Sequence, residues 1–111
     1  MPKAVQGMIE CEVVERDRDY VVLRLRGELA GQVWTDVLGK ALEDHYVDDG
    51  VKVIRVDLSP VTFLDNNGVA TLVSLHRESG ERGKRFFVVN PGGQVREKLE
   101  VTGVSRFLQE G

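Results

Sequence analysis

At 111 residues, 41% of them hydrophobic and 30% charged, the chain has the length and balance of one globular domain with its own core, and no apolar run approaches the ~20 residues of a membrane span. Met1-Pro2-Lys3-Ala4-Val5-Gln6 has no signal-peptide core, so a cytoplasmic protein without direct membrane insertion is expected. A net charge of -3 and a pI of about 5.4 argue against a nucleic-acid partner, and a single cysteine, Cys11, excludes an internal disulfide or a cysteine metal cluster.

Ile9, Cys11 and Val13 alternate with Glu10, Glu12 and Val14, which predicts an opening strand with Cys11 buried in it. Arg16-Asp17-Arg18-Asp19 is a charged turn. Val21, Leu23 and Leu25 then alternate with Val22, Arg24 and Arg26 as far as Gly27, so the two strands should form an antiparallel hairpin with one wet face. From Val33 the period changes: Trp34, Val37, Leu38, Ala41, Leu42 and His45 lie on one helical stripe, closed by Asp48-Asp49-Gly50.

Val51 to Leu58 reads as a strand, with Ile54, Val56 and Leu58 on one face and Arg55 and Asp57 on the other. The strand, helix, strand order favours parallel pairing with a right-handed crossover. Pro60 ends the strand, and Val61-Thr62-Phe63-Leu64 is a short apolar connector. Asp65-Asn66-Asn67-Gly68 follows, a cluster whose side-chain oxygens can cap a helix, and Val69, Leu72, Val73 and His76 recur at helical spacing towards Arg82. Asn67-Gly68 between apolar runs is also a hairpin signal. Helix-forming Ala70, Leu72, Leu75, Arg77 and Glu78, and a run of about 14 residues, long for a strand, favour the helix.

Arg85 to Val89 is a short buried strand bounded by Gly83 and Pro91. Val95, Leu99 and Val101 suggest a last helix with Gly103 at a left-handed cap position, after which Phe107 and Leu108 should fold back on the sheet. The expectation is one α/β domain over residues 1–111, with a mixed four- to five-stranded sheet and three to four helices. There is no internal repeat or linker.

Catalysis requires convergent groups, and none assemble. His45 and His76 sit on the stripes of separate helices, and Glu78 and Glu81 do not share the face of His76, so packing and not metal binding is expected. Ser59, Ser74, Ser79 and Ser105 lack nucleophile-elbow glycines. Gly80-Glu81-Arg82-Gly83-Lys84 has the wrong spacing for a phosphate loop and reads as a helix-to-strand turn, while Pro91-Gly92-Gly93 reads as a loop and helix start. No enzyme, cofactor or metal is expected.

Val56-Asp57-Leu58, then Val61-Thr62-Phe63-Leu64-Asp65, two small polar residues, Gly68 and an apolar helix resemble the signature of STAS domains, the family of bacterial anti-sigma factor antagonists. Gly83 to Pro91 and Val95-Arg96-Glu97-Lys98-Leu99 up to Thr102-Gly103-Val104 are similar to that family's last strand and helix, so the resemblance runs over about residues 8–108. It implies a STAS-type fold and a turn, Asp65 to Gly68, on which a switch-protein kinase docks: Asp65, Asn66, Asn67 and Gly68 would make the contacts, with Val69 and Thr71 at the edge.

Two departures bear on regulation. Where the family usually has a phosphorylated serine directly after the Asp, this chain has Asn66; and Gly27-Glu28-Leu29 is followed by Ala30 where an acid is common. A phosphate would bring about -1.5 to -2 charges beside Asp65. Asn66 cannot accept one, so the turn is expected to stay in its unmodified, neutral form, leaving Thr62 and Thr71 as alternative acceptors. The resemblance implies a protein partner, either a kinase-fold anti-sigma factor or, in a second reading, an ATPase subunit of a larger assembly such as a signalling scaffold or a lipid-transport complex. Asn66 suits both, and self-association to a homo-oligomer is compatible with either.

Overall fold

The computed structural model describes residues 3–6, 9–30 and 33–109, without the side chains of residues 3–9 and 33–38. Trp34, Val37 and Leu38, predicted to face the core, therefore lie outside the described side chains. The element order is β1 (Lys3–Gln6), β2 (Ile9–Arg16), β3 (Tyr20–Leu29), α1 (Val33–Val47), β4 (Val53–Asp57), β5 (Val61–Leu64), α2 (Asn66–Glu81), β6 (Arg85–Val89), α3 (Gly93–Val101) and α4 (Ser105–Leu108).

The sheet runs β1-β2-β3-β4-β6, antiparallel through β3 and parallel after it, with β5 pairing in parallel to β3. The antiparallel start, the parallel continuation and the helical connections are those expected from the sequence. The alternation seen in Val21, Leu23 and Leu25 becomes a fully buried row on the central strand β3, while Arg24 and Arg26 stay on the other face. Parallel partners then add Ile54 and Val56 from β4 and Phe86 and Val88 from β6. Leu72 and Leu75 of α2, Leu99 of α3 and Leu108 complete the same core. Cys11 is buried as expected, which pushes its thiol pKa up to about 11 and removes it from thiolate chemistry.

Three local expectations are corrected. Lys3–Gln6 forms an extra edge strand on β2. Val61–Leu64 is not a connector but strand β5. And β3 does not stop at Gly27: this residue takes φ +118°, which lets the strand pass through with a register shift and continue to Leu29. At the C-terminus Leu108 packs into the core, whereas Phe107 stays partly exposed, its ring 5.1 Å from that of His76.

Asp57 closes β4 and is 5% exposed. Burial works against its charge, but the backbone N–H and hydroxyl of Ser59 and the Arg24 guanidinium, 3.0 Å away, outweigh it and hold the carboxyl below the ordinary range. A depressed folded-state pKa adds stability that is full above the unfolded value of about 4 and is lost as pH falls through the folded value. Arg24 is 39% exposed and screened, so the effect is modest. Asp57→Asn should cost about 1 kcal/mol at neutral pH and nothing in strong acid, where urea midpoints of the two proteins converge. Parallel midpoint curves across the whole pH range would refute this role.

Candidate functional site

The β4-β5 connection sets the position of the site. Leu58 N–H donates to Val89 O at 3.0 Å, and Val61 N–H donates back to Leu58 O at 2.9 Å, closing the Ser59-Pro60 turn. β5 then runs beside the end of β3, pairing Glu28 with Phe63 and Leu29 with Leu64. Asp65 N–H continues the ladder to Leu29 O at 3.2 Å, so the start of α2 sits against the last residues of β3.

Asp65 is extended (φ -101°, ψ -177°) and its Oδ1 accepts from Gly68 N–H at 2.7 Å, while its carbonyl takes the first helical bond, from Val69 N–H at 3.0 Å. That is an N-cap, and it settles the choice between helix and hairpin at Asn67-Gly68. The cap satisfies one orphan donor and starts a 16-residue helix whose Leu72 and Leu75 are buried. The rest of the first turn carries no acid.

The predicted site residues divide into two groups. Asn66 and Asn67 are exposed, and Asp65 is half-buried at their base. Gly68 and Val69 face inward. A Cβ on Gly68 would lie 2.4 Å from Leu29 O and 2.5 Å from Leu64 Cδ1, so this glycine permits the close approach of α2 to β3. Thr71 is half-buried, its Oγ1 donating to Asn67 O at 3.0 Å, and Thr62 is exposed, with Oγ1 3.4 Å from Gly27 O. Ala30 follows directly on Leu29, whose carbonyl accepts from Asp65 N–H, so Ala30 adjoins this tip in the chain.

Sequence reasoning missed two neighbours. Phe63, 41% exposed, lies opposite Glu28 of β3 and two residues before Asp65; within an apolar run it carried no sign of exposure. Gln94 of α3 reaches across to the backbone of Leu64. The histidines lie elsewhere: both are half-buried, and His76 Nδ1 is 3.1 Å from Phe86 O. A groove of about 360 Å³ lined by Glu43, Tyr46, Leu75, Glu78 and Arg82 lies at the other end of α2. Among the described residues no group of three or more His, Cys, Asp or Glu could hold a metal ion, and no helix is long and apolar enough to cross a membrane.

Fold and site together define a small mixed α/β domain that presents a capped helix tip at one end of its sheet. The model of the STAS domain family matches residues 10–110, and the chain belongs to that family. It is 27% identical over 101 residues to an anti-sigma-B factor antagonist of Listeria monocytogenes, covering 91% of this chain and 87% of that protein. Among solved structures it is similar to the unphosphorylated anti-sigma factor antagonist SpoIIAA, with a TM-score of 0.72, 22% identity and coverage of 91% of this chain and 87% of the other. An anti-sigma factor antagonist from Mycobacterium paratuberculosis matches with a TM-score of 0.71 and 26% identity over 88% of this chain and 80% of the other.

Proposed function

We propose that this chain is an anti-sigma factor antagonist: a non-enzymatic binding module that captures a kinase-fold anti-sigma factor through the tip of α2 and so frees a sigma factor. The observation that carries the reading is the exposure of Asn66 and Asn67 on a helix start fixed from below by the Asp65 cap and the buried Gly68. The names of the Listeria and Mycobacterium relatives support it. Asn66 and Asn67 are the direct contacts, Asp65 and Thr71 frame them, Phe63 adds apolar area, and Gly68 and Val69 set the height of the tip. Because Asn66 stands where the family's phosphoserine is usual, capture follows partner abundance and is not reversed by modification of this turn. The encounter with such a factor is proposed to take place in the cytoplasm.

The test is titration calorimetry against each kinase-fold anti-sigma factor of the source genome, with Asn66→Asp as the variant. A carboxylate at the first position of α2 faces the positive end of the helix dipole and should leave the fold unchanged or stabilise it by about 0.3–1 kcal/mol. The same charge buried at the interface should weaken capture by about 1–3 kcal/mol. Opposite signs in the two measurements separate docking from folding. Equal affinity of Asn66→Asp and the parent chain would remove the tip from the interface, and no binding to any such factor would end the reading.

A further inference from the structure

Leu64, the last residue of β5, is fully buried, and both of its backbone polar groups are taken by one side chain. Its N–H donates to Gln94 Oε1 at 2.9 Å, and its carbonyl accepts from Gln94 Nε2 at 2.9 Å. One primary amide meeting the N–H and C=O of a single residue reproduces the two-bond exchange of a hydrogen-bonded antiparallel pair. Gln94 thus stands in for a missing strand along the outer edge of β5, although it belongs to the first turn of α3.

The next residue along the chain is Asp65, the N-cap of α2, whose own N–H is held from the opposite side by Leu29 O. The tip is therefore fixed from β3 by one backbone bond and from α3 by the Gln94 amide. We propose that Gln94 is a positioning residue for the α2 tip: it transmits the placement of α3 into the conformation of residues 64–68. As a device for docking it rests on the binding function proposed above; as a structural coupling it does not. The chemistry restricts the side chain. It must offer a donor and an acceptor on one planar group, which an ionised glutamate lacks, having two acceptors, one of them forced against the Leu64 carbonyl. A protonated glutamic acid has both.

That difference makes the coupling testable in the intact chain without any partner. Backbone amide protection is measured by NMR hydrogen exchange at residues 64–71 in the parent protein, Gln94→Ala and Gln94→Glu, at about pH 4 and about pH 7, bracketing the ordinary glutamate value. Asp65, Glu28 opposite Phe63 on β3, and Glu97 and Lys98 beside Gln94 on α3 are the charged neighbours, and all are common to the three proteins. Gln94→Ala should lose about tenfold or more of the protection at residues 64–68 at both pH values, with β4 and the second half of α2 unchanged. Gln94→Glu should match the alanine variant at the higher pH and recover towards the parent at the lower.

Loss of protection spread evenly over the whole sheet would mean a general structural role only. Protection at residues 64–68 within twofold of the parent in Gln94→Ala, or no recovery of Gln94→Glu in acid, would overturn the proposal. Partner titrations separate the two ideas: an intact coupling in a protein that captures no anti-sigma factor sinks the docking reading and leaves the positioning role standing, and the reverse result does the opposite.

Discussion

Gly68→Ala should destabilise the protein by about 2–4 kcal/mol, although alanine is the better helix former. Inside a helix, replacing glycine by alanine ordinarily gains about 1 kcal/mol. Here the new Cβ would sit 2.4 Å from Leu29 O and 2.5 Å from Leu64 Cδ1, and the first of these is backbone that belongs to the central strand. Overpacking a filled site costs about 1–3 kcal/mol even where side chains can give way, and a carbonyl held in the ladder cannot turn aside. The same carbonyl accepts Asp65 N–H, so relieving the clash also loosens the N-cap. Gly80→Ala is the matched control: it lies in the same helix with nothing within 4 Å of the added carbon. It should stabilise by about 0.5–1 kcal/mol. Urea denaturation of the two variants at equal m-value reads the contrast directly. Two alanine variants of similar stability would mean that α2 can ride outward at no cost, and the tip would not be held at the height the proposed docking requires.

Legibility in the sequence followed the contrast between core and solvent. β2, β3 and β4 alternate, α2 repeats at helical spacing, and β6 is a continuous apolar run between Gly83 and Pro91, so these elements could be placed from residues alone. β6 matches its expected bounds residue for residue. Where the environment is set by distant chain, the pattern fails. β5 has only four residues, buried at its ends and exposed at Thr62 and Phe63, and its partner is the far end of β3, so neither alternation nor length could reveal it. Gly27 looks like a stop because glycine usually interrupts a strand, yet at φ +118° it carries the chain through. The N-cap was readable because its chemistry is local, from Asp65 to Gly68. The Gln94 contact was not, because an amide on a helix surface gives no hint that the backbone thirty positions earlier lacks a neighbour.

Lys84 is the clearest case of a side chain whose role only the fold reveals, and Lys84→Met should cost about 2–4 kcal/mol. In the sequence it is one of several charges in a helix-to-strand turn. In the structure it is 6% exposed, and Nζ donates to Asp48 O and Val51 O, both at 2.7 Å. Asp48 directly follows α1, so the ammonium sits where the helix's negative end favours a cation. Val51 is fully buried and leads into β4, which leaves its carbonyl without recourse to solvent once the lysine is gone. Methionine preserves most of the apolar stem, so the loss isolates the two charge-assisted bonds, each abandoned acceptor costing about 1–3 kcal/mol less what relaxation recovers. The cost of burying the ammonium works the other way and keeps the expected total below the sum of the two bonds. Lys52→Met, on an exposed side chain two residues before Ile54, should stay within about 0.5 kcal/mol of the parent. If urea midpoints place the two methionine variants together, water reaches the Asp48 and Val51 carbonyls, and the junction between α1 and β4 is held by backbone alone.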